Sequence, residues 1–275
     1  MTDRVTLNTG ATVPRLGVGT WQIPDDRAEA VVGNALEAGY RSIDTATSYR
    51  NERGIGAAVA ASGIPRDEVV VTTKLWNGDH GTDETLRAFD ASLERLRLDH
   101  VDLYLIHWPL PMRGRYVETW RALEKIHADG RARAIGVSNF TTGHLARLME
   151  TCDIVPAVNQ VELHPLFPQQ KLREFHAAHG IATQAWSPLG SGQGLLDLPV
   201  LGEIARAHGR SPAQVVIRWH LQLGNLVIPK SSTPSRIAEN FRVFDFALDE
   251  GEMAAIADLD SGRRWGPDPD TFDYG

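Results

Sequence analysis

Cysteine is nearly absent from this 275-residue chain, Cys152 being the only one. That excludes intramolecular disulfides and thiolate zinc clusters and fits a reducing compartment. Positive charge is not in excess either: 28 Lys+Arg face 35 Asp+Glu, a formal net charge of -7. No general attraction to nucleic acid or anionic lipid follows. Long apolar runs are missing, so no segment is suited to span a bilayer, and residues 1–8 lack the apolar core of a signal peptide. The expectation is a cytoplasmic protein that works on small molecules, with no nucleic-acid or membrane partner. Its 42% hydrophobic and 23% charged residues belong to a globular chain with a large core, not to a disordered one.

Several chemical signatures are also lacking. Gly17-Val18-Gly19 runs on into Thr20-Trp21-Gln22, and Gly190-Ser191-Gly192-Gln193-Gly194 has the wrong spacing, so neither is the G-x-G-x-x-G loop of a Rossmann domain. Gly136-Val137-Ser138-Asn139-Phe140 lacks the final glycine of a nucleophile elbow. There is no Walker A lysine and no H-E-x-x-H helix, which weakens kinase and hydrolase readings. His176 and His179 have helical spacing but read as surface residues rather than ligands. No metal site is expected.

What the chain does have is alternation. Short aliphatic and β-branched runs at 41–44, 69–73, 101–106, 132–137, 157–161, 181–185 and 226–228 read as buried parallel strands, with 16–19 as the first. Between them, 27–38, 85–96, 116–128 and 169–178 carry apolar residues at helical spacing, as in Leu86, Phe89, Leu93 and Leu96. Ser211-Pro212-Ala213-Gln214 supplies an N-cap serine, a first-turn proline and a capping-box glutamine. Thr233-Pro234 opens another helix, whose N-terminus suits an anion. About eight strand–helix units of roughly thirty residues predict a (β/α)8 TIM barrel, an α/β fold, as one domain over 1–275. An N-terminal hairpin around Asn8-Thr9-Gly10 would cap one end of the barrel, and 199–207 would form an extra helix.

Three successive strand ends are polar: Asp44, Lys74 and His107. In a barrel these ends converge on one face, with Tyr49 supplied by the loop after Asp44. Each alone could be the polar residue at which a buried strand surfaces; together they suggest proton chemistry. A tyrosine near pH ~10 is too weak an acid to protonate an alkoxide rapidly at neutral pH. A lysine cation about 4 Å away, at an effective dielectric of about 20, contributes roughly 4 kcal/mol toward the phenolate, or about three pKa units before burial opposes it. Asp44 would keep Lys74 charged, and His107 could hydrogen-bond a substrate oxygen. This set is suited to carbonyl reduction.

The same residues lie in segments that resemble the aldo-keto reductases: Gly39 through Glu52, Lys74-Leu75-Trp76, Leu103 through Pro109 and Ile228 through Ser232. Gly136 through Asn139, Val158 through Pro165 and Trp186 through Gly190 are most similar to the bacterial 2,5-diketo-D-gluconate reductase type. The resemblance implies NADPH bound by a barrel without a Rossmann domain, Tyr49 as proton donor, Lys74 and Asp44 tuning it, and His107 orienting substrate. It also implies that Ser138, Asn139 and Gln160 hold the nicotinamide carboxamide and that Trp186 stacks on its ring. Lys230, Ser231 and Arg236 fall where the family binds the 2′-phosphate, with Glu239 and Asn240 near the adenine. Trp21, Trp76 and Trp108 follow the first, third and fourth strands and would rim a substrate pocket or, alternatively, pack in the core. The substrate would be an aldehyde or ketone, with α-dicarbonyls and keto-sugars in view, and the enzyme a monomer. An NADPH-binding redox sensor with little turnover is the alternative reading. A metal-assisted barrel hydrolase is disfavoured because no His-x-His pair ends an early strand.

Overall fold

The computed structural model describes residues 3–275. Strands β1 (Arg4–Thr6) and β2 (Thr12–Pro14) pair antiparallel, with Val5 opposite Val13. The chain then alternates through β3 (Val18–Gly19), α1 (Asp25–Glu37), β4 (Ser42–Asp44), α2 (Glu52–Ala61), β5 (Val70–Leu75), α3 (Thr82–Leu96) and β6 (Val101–Ile106). It continues with α4 (Tyr116–Ala128), β7 (Ala132–Ser138), α5 (Thr142–Thr151), β8 (Val158–Glu162), α6 (Gln170–Ala178) and β9 (Ala182–Trp186). Two helices, α7 (Pro199–His208) and α8 (Pro212–Gln222), precede β10 (Leu226–Val227), and α9 (Pro234–Phe241) and α10 (Glu250–Ala257) follow it.

Strands β3 to β10 lie side by side in chain order, and all their pairings are parallel. The ring closes where the Gly17 and Gly19 N–H groups donate to the carbonyls of Val227 (2.9 Å) and Pro229 (3.2 Å). Parallel bridges join Leu16 to Val227 and Gly19 to Lys230. Only glycine fits at position 19, since a Cβ there would stand 2.8 Å from the Ile228 carbonyl oxygen. The result is the expected (β/α)8 barrel with its N-terminal hairpin.

The core has two parts because both faces of each barrel strand are covered. Outside, apolar stripes such as Phe89, Leu93 and Leu96 of α3 and Trp120, Leu123 and Ile126 of α4 pack on the strands. Burying each such side chain is worth about 1.5–3 kcal/mol. Inside, Leu7 and Val13 of the hairpin region meet Val70, Leu103, Leu105, Ala134, Val158 and Leu226, plugging the end of the ring away from the polar strand termini.

Most boundaries follow the sequence reading. α4 spans the expected residues, α7 appears where an extra helix was expected, and the Ser211–Gln214 capping box forms at the start of α8. Helices expected from 27 and 85 begin earlier, at Asp25 and Thr82, because acidic first turns carry no apolar periodicity. The first strand is shorter than expected: residue 16 makes only an isolated bridge and the regular pairing is Val18–Gly19. α2, α5 and α10 were not anticipated. One expectation is overturned, since His176 is wholly buried between α6 and the sheet, with Asn159 and Thr183 as partners.

Candidate active site

Asp44 ends β4, Lys74 lies near the end of β5, and His107 directly follows β6. Parallel strands in register bring these three to one end of the barrel. Tyr49 comes from the short 3-10 turn Thr47–Tyr49, which Arg50 terminates in a left-handed conformation, φ 57°. Lys74 Nζ donates to Asp44 Oδ1 at 2.6 Å, to the Thr45 carbonyl at 2.9 Å and to the Tyr49 hydroxyl oxygen at 3.3 Å. All of Lys74 is buried. The His107 and Tyr49 rings meet edge to face at 5.8 Å between centroids, and His107 Nδ1 lies 3.4 Å from the Ser48 hydroxyl.

Burial sets the protonation of this group. It would lower the Lys74 pKa, but Asp44 and Tyr49 outweigh it and hold the ammonium above the usual lysine range. Burial pushes the Asp44 carboxyl up, against the opposing pull of Lys74 and Gln160. For Tyr49 the outcome corrects the sequence reading, which took the pull of the lysine to outweigh the burial that opposes it. Burial, helped by the Asp44 charge, exceeds the effect of Lys74, so the phenol is raised above its ordinary value rather than lowered. Tyr49 therefore keeps its proton at neutral pH. His107 is held well below the usual histidine value, first by burial and then by Lys74, and is a neutral imidazole.

Beside this quartet stand the strand ends of β7, β8 and β9. Gln160 Nε2 donates to Asp44 Oδ2 at 2.7 Å and to Gln184 Oε1 at 2.8 Å. Both amide hydrogens are thus engaged, and Oε1 of Gln160 is left as an acceptor. Asn139 takes up a left-handed conformation, φ 64°, donating from Nδ2 to the His107 carbonyl (3.0 Å) and to Ser138 Oγ (3.1 Å). Its Oδ1 accepts the Trp186 indole N–H at 2.8 Å. Ser138, Asn139 and Gln160 are buried, whereas the Trp186 ring is half-buried. The arrangement offers amide-sized polar contacts beside a partly open aromatic face.

On the other side of the barrel closure, Lys230 follows β10 and Arg236 lies in the first turn of α9. Both are exposed, and among the described residues neither side chain makes an ion pair or hydrogen bond. Ser231 Oγ accepts the Thr233 N–H at 3.2 Å, shaping the turn into α9. Asn240 is buried on the same helix, while Glu239 is half-buried and its carbonyl accepts from Gln214. Two uncommitted cations at a helix N-terminus fit a phosphate dianion. With the polar cluster and open indole face just described, these residues fit a nicotinamide dinucleotide phosphate.

The three tryptophans divide. Trp76 is half-buried and lies edge-on to His107 at 5.3 Å. Trp21 is 49% exposed, whereas Trp108 is buried against Phe272 at 4.3 Å. Phe272 belongs to the C-terminal tail, which returns across the mouth. Asn77 donates to the Tyr274 carbonyl, and Arg113 is engaged by Asp273 and by the Gly275 carbonyl. Nearer its start, the tail is anchored by buried Glu162, which accepts the N–H groups of Trp265 (2.7 Å) and Gly266 (2.8 Å). Sequence reasoning missed Thr45, Ser48, Gln184 and Glu162. Thr45, Ser48 and Glu162 lie inside the quoted segments 39–52 and 158–165 and could have been noted; Gln184 carries no signal without the packing.

The Aldo/keto reductase family profile matches residues 15–261. The chain belongs to this family. An aldo-keto reductase of Mycolicibacterium smegmatis is 57% identical to this reductase over 100% of the chain and 99% of its own length. A methylglyoxal reductase DkgA of Salmonella typhimurium is 48% identical, over 98% and 97%. Among solved structures, a Gox0644 variant in complex with NADPH superposes with a TM-score of 0.96 at 48% identity, covering 100% of both chains. The chain is therefore an oxidoreductase of the aldo-keto reductase family, and the solved structure it superposes on carries NADPH. No helix among its described residues is long and apolar enough to cross a membrane.

Proposed function

We propose that Tyr49 is the proton donor of this reductase and that its substrates are small α-dicarbonyls of the methylglyoxal kind. The observation that carries the proposal is the buried series Asp44–Lys74–Tyr49, with contacts of 2.6 and 3.3 Å. Ser138, Asn139, Gln160 and Trp186 would hold NADPH at one end and Lys230, Ser231, Arg236, Glu239 and Asn240 at the other, and the bound cofactor would supply the hydride. The remaining work belongs to the chain. His107 is neutral; a hydroxyl donated from Ser48 to Nδ1 leaves the N–H on Nε2, free to bind the substrate oxygen and orient the carbonyl. As negative charge grows on that oxygen, the Tyr49 proton moves to it, since an alkoxide is a far stronger base than a phenolate. Lys74 stabilises the phenolate left behind, and Asp44 keeps the ammonium charged and in place.

Substrate class is argued from the rim. Trp21 and Trp76 make it aromatic, with Trp108 buried behind them against Phe272, and Arg113, which joins the tail there, is already engaged by Asp273 and Gly275. An uncharged dicarbonyl suits such a mouth better than a sugar acid such as 2,5-diketo-gluconate, and the name of the Salmonella relative agrees. A cytoplasmic monomer, one barrel domain over 1–275, completes the reading. Its support is the single cysteine and the fact that the exposed large apolar side chains among the described residues are Trp21, Met112 and Tyr274.

Tyr49→Phe tests the proton-donor role. NADPH binding should be retained while turnover of methylglyoxal falls by about 10²-fold or more. Near-normal turnover would reject the assignment. Slow single-turnover oxidation of bound NADPH by the unsubstituted protein would favour a redox sensor instead.

A further inference from the structure

His176 lies on α6, in the outer helical layer, yet it is completely buried and its hydrogen bonds lead to the cofactor side of the barrel. Successive residues of a strand face opposite ways. Gln160 of β8 reaches across to Asp44, so its neighbour Asn159 faces outward, toward α6. There Asn159 Nδ2 donates to His176 Nε2 at 3.0 Å, and His176 Nδ1 lies 2.9 Å from Thr183 Oγ1 of β9. The same Asn159 amide brackets residue 140, two positions beyond the end of β7. Nδ2 donates to the Phe140 carbonyl at 2.8 Å, and Oδ1 accepts the Phe140 N–H at 3.4 Å.

We infer that His176 is a positioning residue: it fixes the orientation of the Asn159 amide and, through the Phe140 peptide, the pose of Asn139 and Trp186. The inference rests on the proposed role of those two residues in holding the nicotinamide ring. An amide nitrogen has two hydrogens. The Phe140 carbonyl takes one, and the other needs an acceptor, which a neutral imidazole supplies at Nε2 when its proton is on Nδ1. Thr183 Oγ1 accepts that proton and so selects the tautomer. An apolar group or a donor at 176 removes the reason for Asn159 to present nitrogen to the Phe140 carbonyl and oxygen to its N–H. If the amide turns over, both Phe140 groups lose their partners.

The neighbouring residue amplifies the effect. Asn139 is non-glycine in a left-handed conformation, which persists only where surrounding contacts enforce it. Its side chain joins the His107 carbonyl to the Trp186 indole at 3.0 and 2.8 Å. A cavity of about 20 Å³ borders Asn139, Phe140 and Thr141. The Phe140 ring packs in the core against Tyr116 and His144, and the Asn139 N–H donates to the Gln160 carbonyl at 2.9 Å, so the Asn159 amide is what orients the Phe140 peptide within an otherwise packed turn.

The test compares His176→Leu with His176→Gln, whose side-chain oxygen can accept from Asn159 while its nitrogen donates to Thr183. Binding of NADPH is measured by quenching of tryptophan fluorescence, alongside kcat, KM for methylglyoxal and the urea midpoint. His176→Leu should raise the NADPH Kd about tenfold at temperatures well below unfolding, with His176→Gln returning to within about threefold of the unsubstituted protein. In an Asn139→Ala background, His176→Leu should add no further loss of NADPH affinity. Unchanged binding by His176→Leu, or a loss fully additive with Asn139→Ala, overturns the inference. Should His176→Leu not fold, Thr183→Val removes only the Nδ1 partner and should raise the Kd about threefold; no change there is equally decisive. Failure of the unsubstituted protein to bind NADPH would defeat the cofactor-site reading instead. The relay is then still read by whether His176→Leu shifts the Trp186 emission of the free protein, and no shift overturns it.

Discussion

The Gln160 side chain donates to the Asp44 carboxylate at 2.7 Å, joining β8 to β4 across the inside of the barrel. These strands are not neighbours in the ring. A residue proposed to hold the nicotinamide thereby also helps hold the carboxylate beside Lys74. Replacing Gln160 by Leu leaves Asp44 Oδ2 and Gln184 Oε1 buried without that donor, a loss of about 1–3 kcal/mol. Gln160 lowers the Asp44 pKa, so its removal raises it further. Asp44 would then protonate at higher pH, and the acid limb of kcat should move upward. An unmoved limb in a folded Gln160→Leu protein would contradict this link.

Arg236→Ala addresses the far end of the cofactor. The Arg236 guanidinium has no partner among the described residues, so its removal disturbs little of the fold. If it binds the 2′-phosphate, NADPH should lose about 1.5–3 kcal/mol, tenfold or more in Kd, with NADH nearly unaffected. Equal losses for the two cofactors in parallel titrations would remove Arg236 from the phosphate site.

Gly266 locks the tail to the Trp186 ring. A Cβ there would stand 2.5 Å from Trp186 Cη2 and 2.9 Å from Glu162 Oε2. Gly266→Ala must therefore push the indole aside or lift the tail from Glu162, at about 1–3 kcal/mol. The expected readings are an altered Trp emission and a higher KM for NADPH. Gly33→Ala is the control: nothing lies within 4 Å of its added methyl, which sits in the interior of α1, and the change should stabilise by about 0.5–1 kcal/mol. Identical behaviour of the two variants would refute the clash.

Stability should fall as the solution is acidified from neutrality. Burial lowers the pKa of His80 and His176 to about 4 and that of His220 to about 3. The unfolded chain binds protons at these positions near pH 6.5, whereas the folded chain does not until well below, so the unfolded state holds more protons in between. His80 and His176 each contribute about 3 kcal/mol that is complete above pH 6.5 and lost progressively toward pH 4, and the loss at His220 runs on toward pH 3. Urea midpoints at pH 7, 6 and 5 should decline, before most carboxylates titrate. A flat profile over that range would show these imidazoles to be less enclosed than the structure has them.

Local chemistry wrote the barrel's parts into the sequence. The apolar run of β6 and the periodicity of α4 are set by residues close in the chain, as is the Ser211–Gln214 cap, and each element formed where expected. Polar residues ending consecutive runs located Asp44, Lys74 and His107, because parallel strands in register must end on the same face. What the sequence could not decide depended on partners far along the chain and on enclosure. Glu162 anchors a tail more than a hundred residues downstream, at positions 265 and 266. His176 has a helical spacing that would serve equally well at the surface, and only α6 packing on β8 and β9 encloses it. The acidity of Tyr49 turned the same way: Lys74 could be foreseen, but the loss of water around the phenol, which exceeds its pull, exists only once the ring of strands has closed.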